Sequence, residues 1–318
     1  MMILITGGLG FIGSHTVQAL LDADQECVVV QRTYAAAPAG RFSRAVAIER
    51  ADATDLEALL EVGRRHRITG IVHLAGSMPW PPSPEPPVPA ARRSLGSLFN
   101  IMQAAQEWGV ARVALASTIG VYGGARDPFE GPLTEDIPLS MSAPHLIPTF
   151  KKVSELLGGH LAQATGIEVV NLRISGTWGP LGHSPDPFFP APQLIHAAAR
   201  GQAPDLSGVR GRTHAEDSLD LLYVKDTGRA IALLQLAEHL NHRTYNVASG
   251  HATTNAEIAA AIRHAVPDAQ VDLPSGGDTR QAWLDITRLH QDTGYEPAWN
   301  IERAAADYIA WLRAGNKS

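Results

Sequence analysis

The 318-residue sequence predicts a doubly wound, parallel α/β sheet with a smaller C-terminal α/β lobe. Three observations carry this. Short aliphatic runs alternate with helical patterns through the first half of the chain, the order that yields parallel strands joined by right-handed crossovers. The runs are continuous rather than alternating, as suits strands covered on both faces. Residues 6–15, TGGLGFIGSH, set glycines at positions 7, 10 and 13 where a strand turns into a helix.

In chain order, Ile3-Leu4-Ile5 forms the first strand and Gly13 to Ala23 the first helix. Cys27 to Val30 is the second strand and Ala45 to Ile48 a short third. Thr54-Asp55 caps a Leu- and Ala-rich helix. Ile71 to Leu74 is the fourth strand. PWPPSPEPPVP, Pro79 to Pro89, is a stiff proline-rich loop beside the site. Ser94 to Trp108 is a helix, Val113 to Ala116 the fifth strand, Pro148 to Thr165 a helix and Glu168 to Leu172 the sixth strand. Beyond Arg173 the texture changes: 176–190 is Gly- and Pro-rich loop, 221–240 a strand followed by a helix, and Glu302 to Arg313 a closing helix. These elements divide into a dinucleotide-binding unit, 1–172 plus 219–247, and a substrate-binding lobe, 173–218 plus 248–318.

Hydrophobic residues make up 45% of the chain and the net charge is −6, with no basic stripe or tail. That argues against nucleic acid or anionic membrane as a partner and points to a small-molecule ligand. No apolar run reaches the roughly 18–20 residues of a membrane span. The start, MMILITGG, lacks a charged leader and enters directly into a strand. The single cysteine, Cys27, permits no internal disulfide and fits a reducing compartment, so a cytoplasmic protein is expected. Thirteen histidines form no H-E-x-x-H or Cys/His spacing, so no metal site is expected. P-loop and G-x-S-x-G signatures are absent from the sequence.

The glycine triplet is the dinucleotide-binding turn of a Rossmann-type sheet. Gly7 permits the tight turn, Gly10 admits a pyrophosphate against the backbone, and Gly13 lets helix and strand close up, with Phe11 and Ile12 between them at the helix start. The position for a ribose-binding carboxylate after the second strand is Gln31, followed by Arg32. A guanidinium without an adjacent acid suits NADP better than NAD.

From here the sequence resembles the extended short-chain dehydrogenase/reductases, the group of NAD-dependent sugar epimerases and dehydratases. TGGLGFIGSH is similar to that family's opening, and Asp52-Ala53-Thr54-Asp55 to its adenine-contacting segment. Val72 to Gly76 is similar to the strand lying along the cofactor, with Leu74, Ala75 and Gly76 against it. Ser117 to Gly123, STIGVYG, resembles its "SS-x-x-VYG" stretch. Leu172-Arg173 and Trp178-Gly179-Pro180, Leu222 to Asp226, Tyr245 to Gly250, and Asp285 with Gly294 to Pro297 follow its later motifs in order. The resemblance covers essentially the whole chain.

It implies a Rossmann-type fold, a homodimer and nicotinamide chemistry in which a Ser or Thr holds the reacting oxygen, a Tyr exchanges the proton, and a Lys four residues after the Tyr binds the nicotinamide ribose. Thr118 takes the first role. Lys151, followed by Glu155, takes the third, leaving Lys152 as its solvent-facing neighbour. The tyrosine position is then Ile147, or Pro148 counted from Lys152, and neither has a titratable proton. His145 and Tyr122 are the candidate replacements, alongside a bound water or the substrate's own hydroxyl. Ser77, Thr118, Ile147 and Arg280 are candidate substrate contacts.

Two other positions depart from the family. Arg93 stands where N-x-x-G-[TS] begins, and Leu219 replaces the arginine that meets a substrate phosphate in nucleotide-sugar enzymes; Arg210, Arg212 and Arg280 remain as other phosphate contacts. Leu98, Met102, Leu156 and Leu157 are the expected dimer-facing residues of a four-helix bundle. Two readings of function follow: an NAD(P)-dependent epimerase, dehydratase or dehydrogenase with a substituted proton carrier, or an NADP-binding sensor or non-redox isomerase or lyase that has lost hydride turnover.

Overall fold

The computed structural model describes residues 1–33, 38, 40–76, 85–124, 130–143 and 145–316. The first half runs β1 (Met2–Thr6), α1 (Phe11–Asp22), β2 (Glu26–Gln31), β3 (Ala47–Arg50), α2 (Leu56–Arg65), β4 (Gly70–His73), α3 (Pro87–Trp108), β5 (Arg112–Thr118), β6 (Gly131–Leu133), α4 (Leu146–Thr165) and β7 (Glu168–Ile174). The second half adds β8 (Gly176–Trp178), α5 (Ala191–Arg200), β9 (Ser218–Leu219), β10 (Leu221–Tyr223), α6 (Val224–Leu236), β11 (Thr244–Val247), β12 (Thr253–Thr254), α7 (Asn255–Ala265), β13 (Ala282–Leu284), α8 (Thr287–Thr293) and α9 (Ile301–Arg313).

Seven parallel strands form the main sheet in the order β11-β7-β5-β4-β1-β2-β3. The period-2 alternation of a strand decides which residues face each layer. Ile3, Ile5, Cys27, Val29 and Val72 face a core closed by Val17 and Leu20 of α1 and Ala230 and Leu234 of α6. Leu4, Val28, Val30 and Ile71 face the opposite core, closed by Leu59 and Val62 of α2, Leu98 and Met102 of α3 and Ala162 of α4. Predominantly aliphatic runs are therefore what a doubly covered sheet favours.

A third core lies in the C-terminal part, where Trp178, Leu194, Ile195, Tyr223, Ile258, Ile262 and Tyr308 pack together. β10 pairs with β8 and contributes Leu221 and Tyr223 to this core, so the chain leaves the smaller lobe only as it enters α6. Conversely α8 returns Leu289, with Tyr295 just beyond it, to the main sheet's core. The lobes are more interwoven than a division at 219 and 248 expresses.

Two further expectations change. The proline-rich segment is not all loop: α3 starts at Pro87, seven residues before Ser94, with proline at its first positions, where no intrahelical N–H bond is lost. The rest of that segment up to Pro84 lies outside the described residues. Leu98 and Met102 are 2% and 3% exposed and belong to the core, so they do not form an outer face.

Helix α1 packs closely against α6. A Cβ on Gly228 would lie 2.5 Å from the backbone carbon and oxygen of His15. Gly228→Ala is expected to destabilise the fold by about 1–3 kcal/mol through forced separation of the two helices, seen as a lowered urea midpoint with unchanged slope.

Candidate functional site: a dinucleotide cleft and the start of α4

The turn after β1 is built from glycine because nothing else fits. Gly7 has φ of 72°, and a Cβ on Gly13 would lie 2.1 Å from the Gly7 carbonyl oxygen. Gly10 is the N-cap of α1 and no side chain caps the helix, so its first-turn amides, those of Phe11, Ile12 and Gly13, carry no side-chain acceptor. This is an anion cradle of backbone N–H groups.

A cavity of about 440 Å³ opens beside that turn, within the range of small-molecule clefts. Gly7, Gly10, Gln31, Arg32, Asp52, Ala53, Leu74, Ala75 and Gly76 all line it, drawn from the C-terminal ends of adjacent strands as the topology dictates. Thr6 organises its floor: its hydroxyl bonds His73 Nδ1 at 2.8 Å and accepts from the Ala75 amide at 3.1 Å. Arg32 lies 3.9 Å from Asp52 with 66% of its side chain exposed. Asp52 in turn accepts from the amide and hydroxyl of Thr54, each at 2.9 Å. The glycine cradle, the cavity and these polar groups fit a dinucleotide. The walls also include Arg93, Ser97 and His183, which motif spacing did not mark as contacts; Arg93 was visible only as a departure from the expected Asn.

Thr118 ends β5 and is half-buried, its Oγ1 accepting from the Gly120 amide at 3.2 Å. The first turn of α4 packs on this corner: a Cβ on Gly120 would lie 3.5 Å from both Pro148 Cβ and Thr118 Oγ1. Ile147 is half-buried beside Pro148.

The two lysines have opposite fates. Lys152 Nζ donates to the carbonyls of Gly123, Ser140 and Ser142 at 3.0, 2.6 and 2.7 Å, tying the loops before α4 to the helix. It is not a solvent-facing neighbour, because three backbone carbonyls converge on it. Lys151 makes no hydrogen bond or ion pair among the described residues. Burial without a direct partner lowers its ammonium to about 8, with Glu155 opposing the shift. Burial first, and then the charge of Lys151, lower His73 to about 3, so its imidazole is neutral.

Glu155, one turn further along α4, is committed elsewhere. It accepts from Arg173 Nε at 3.1 Å and from its terminal nitrogen at 2.8 Å, and from the Ser117 hydroxyl. Arg173 also donates to Tyr122 Oη at 3.0 Å and the Glu135 carbonyl at 3.1 Å.

The other sequence candidates scatter. Tyr122 is 3% exposed and its hydroxyl donates to Asn246 Oδ1 at 2.8 Å; burial raises its phenol, so it lies in a closed structural network rather than in an open site. His145 is the exposed N-cap residue of α4, stacked 5.5 Å from the Phe188 ring. Arg280 does not line the cleft: it is exposed and doubly bonded to Asp278 at 2.9 and 2.8 Å. Ser77 lies outside the described residues.

The sequence model of the NAD dependent epimerase/dehydratase family matches residues 3–248. Among curated relatives, a UDP-glucose 4-epimerase of Azospirillum brasilense is 27% identical, with 99% of this chain and 93% of that one covered. A dTDP-glucose 4,6-dehydratase of Escherichia coli is 26% identical, with 100% and 94% covered. Among solved structures, a Thermus thermophilus UDP-glucose 4-epimerase in complex with NAD superposes with a TM-score of 0.79 at 26% identity, covering 99% of this chain and 100% of that one. A Thermotoga maritima UDP-glucose 4-epimerase with UDP-glucose reaches 0.81 at 23% identity, covering 99% of each, a likeness of fold.

An ammonium without a counter-ion makes Lys151 a site of stored instability. Lys151→Met is expected to stabilise the protein by about 2 kcal/mol at pH 7 after discounting for partial solvent access. The folded pKa lies below the unfolded one, so the folded state binds fewer protons between about 8 and ~10.4. The gain in the Met variant should be full below pH 8, shrink through that window and lose its ionic part above it, as read from urea midpoints across pH.

Proposed function

The chain belongs to the NAD-dependent epimerase/dehydratase family, and from that premise we propose that it is an enzyme that uses a nicotinamide dinucleotide to act on a hydroxyl- or carbonyl-bearing carbon of a sugar-like small molecule. The observation that carries this is the pairing of a glycine-built anion cradle and cleft with an unpaired Lys151 at the start of α4. When bound, the dinucleotide accepts or supplies a hydride. The α1 amides of Phe11, Ile12 and Gly13 hold its pyrophosphate, Asp52 and Ala53 flank its adenine, and Leu74, Ala75 and Gly76 lie along it. Lys151 holds the nicotinamide ribose. Thr118 Oγ1 orients the reacting oxygen, with Ile147 as a neighbouring wall.

NADP is the favoured form. Gln31 offers no carboxylate to a 2′-hydroxyl, and Arg32 has only an exposed, 3.9 Å contact with Asp52 to relinquish to a 2′-phosphate. The named relatives act on UDP- and dTDP-glucose, which favours a nucleotide sugar. Against that, Leu219 carries no charge and Arg280 is engaged by Asp278. The shared chemistry, a secondary alcohol or ketone on a polyhydroxylated ring, is the assignment. The second reading, an NADP sensor or a non-redox isomerase or lyase, is favoured by one observation: α4 presents Ile147 and Pro148 where a proton donor is needed.

We assign a cytoplasmic homodimer. Phe99 of α3 and Leu156 of α4 are 47% and 73% exposed, apolar on adjacent helices, and replace the outer pair Leu98 and Met102. Phe99→Glu with Leu156→Glu is expected to halve the mass measured by light scattering without altering the far-ultraviolet dichroism spectrum.

Single-turnover mixing of NADPH-loaded protein with UDP-4-keto sugars and free keto-sugars should bleach the nicotinamide absorbance, and Thr118→Ala should slow it about 100-fold. Tight NADPH binding by fluorescence with no bleaching on any of them would favour the sensor.

A further inference from the structure

We propose that Lys151 itself exchanges the proton that no tyrosine is present to exchange, its Nζ acting as the acid/base of the site as well as the ribose contact. This rests on the nicotinamide-dependent reading above.

Among the described side-chain candidates around the start of α4, the others are committed or carry no proton. On the first turn of α4, Ile147 and Pro148 carry no exchangeable proton. Tyr122 has its hydroxyl proton on Asn246 and its oxygen under Arg173. His145 stands outside the helix, exposed and stacked on Phe188. Lys152 uses all three ammonium hydrogens on three backbone carbonyls, an arrangement that loses a bond on deprotonation. Lys151 alone among these has its donors uncommitted, and it lies one helical turn after Ile147, on the same face of α4.

Its surroundings match the task. The titratable and charged groups facing it are His73 from β4 and Glu155 from its own helix. His73 is held neutral by burial and by Lys151. Glu155 is saturated by Arg173 and Ser117, so it does not fix the ammonium in an ion pair. Partial burial without a direct counter-ion lowers the ammonium to about 8, closer to the working range where an acid/base is most effective.

The step balances simply. In carbonyl reduction, the substrate carbon would receive a hydride with its electron pair from a reduced nicotinamide held in the cleft. The Lys151 N–H bond breaks, an O–H bond forms on the substrate, and Nζ is left as a neutral amine that regains its proton from solvent. Oxidation is the reverse. Three hydrogens suffice for one substrate bond and two ribose bonds. The reduction rate therefore falls as pH rises through about 8.

The chain is well suited to a direct test, because it has only four lysines: 151, 152, 225 and 317. Protein labelled with [ε-13C]lysine should show four resonances, and the one removed by Lys151→Arg should titrate at about 8, well below the ~10.4 of an unperturbed lysine. The same variant keeps a cation for the ribose but does not release a proton in this range. Its NADPH affinity should stay within about threefold of wild type, while single-turnover reduction drops about 100-fold and loses its fall above pH 8.

A Lys151 midpoint near the ~10.4 of an unperturbed lysine overturns the assignment, as does a variant turning over within about threefold of wild type. Failure of the wild-type chain to bind NADH or NADPH overturns the functional reading, and this inference with it. Firm binding with an ordinary Lys151 midpoint overturns the inference alone.

Discussion

The geometry of the site depends on one buried ion pair, Arg173 with Glu155, whose side chains are 6% and 10% exposed. It joins the sixth strand of the main sheet in chain order to the middle of α4. Through Ser117 it fixes the residue next to Thr118, and through Tyr122 and Asn246 it reaches β11 at the edge of the sheet. Asn246 extends the connection, donating to the carbonyls of Leu133 and Asp285, while Glu135 accepts from its amide. Desolvation makes such a pair a poor source of net stability, but removing one partner typically costs about 3–5 kcal/mol because the other charge is left buried. Its role here is register. With Glu155 held, α4 is fixed in rotation about its axis, with Lys151 close enough to His73 to lower its imidazole while Lys152 is captured by the loops in front of the helix.

That division of labour explains why paired lysines are tolerated near a helix start, where the dipole opposes cations. Lys152 is compensated by three carbonyl oxygens. Lys151 is not compensated, and its lowered affinity for a proton is the result. The cost of burying it is retained because the cleft beside it is built for an anionic ligand: glycines at 7, 10 and 13, an uncapped helix start, and Arg32 and Arg93 in the walls.

Much of this was legible in the sequence. The aliphatic runs at 3–5, 27–30, 71–74, 113–116 and 168–172 mark five of the seven sheet strands, because strands covered on both faces are built mainly from aliphatic residues. The glycine turn identifies the cleft because a Cβ at Gly13 is sterically excluded. What the sequence did not reveal arises from tertiary geometry. Periodicity marks Leu98 and Met102 as one apolar face of α3 but not which side of the helix the sheet covers. Proline composition suggested loop at 87–89, whereas proline is at home on a helix's first turn. Tyr122 was a candidate by its motif, and only the placement of Asn246 and Arg173 around its hydroxyl shows it to be closed in. The spacing to Glu155 singles out Lys151, but only the carbonyls of residues 123, 140 and 142 show that Lys152 is captured rather than solvent-facing.

The central claim is that α4 presents Lys151, and not Lys152 or a tyrosine, to a dinucleotide seated on the glycine turn. A crystal structure of the chain with bound NADPH tests it most directly. The account predicts the pyrophosphate on the amides of Phe11 and Ile12, the nicotinamide ribose within hydrogen-bond distance of Lys151 Nζ, and Lys152 still on its three carbonyls. A dinucleotide bound away from the glycine turn, or a ribose held by a residue other than Lys151, would contradict it.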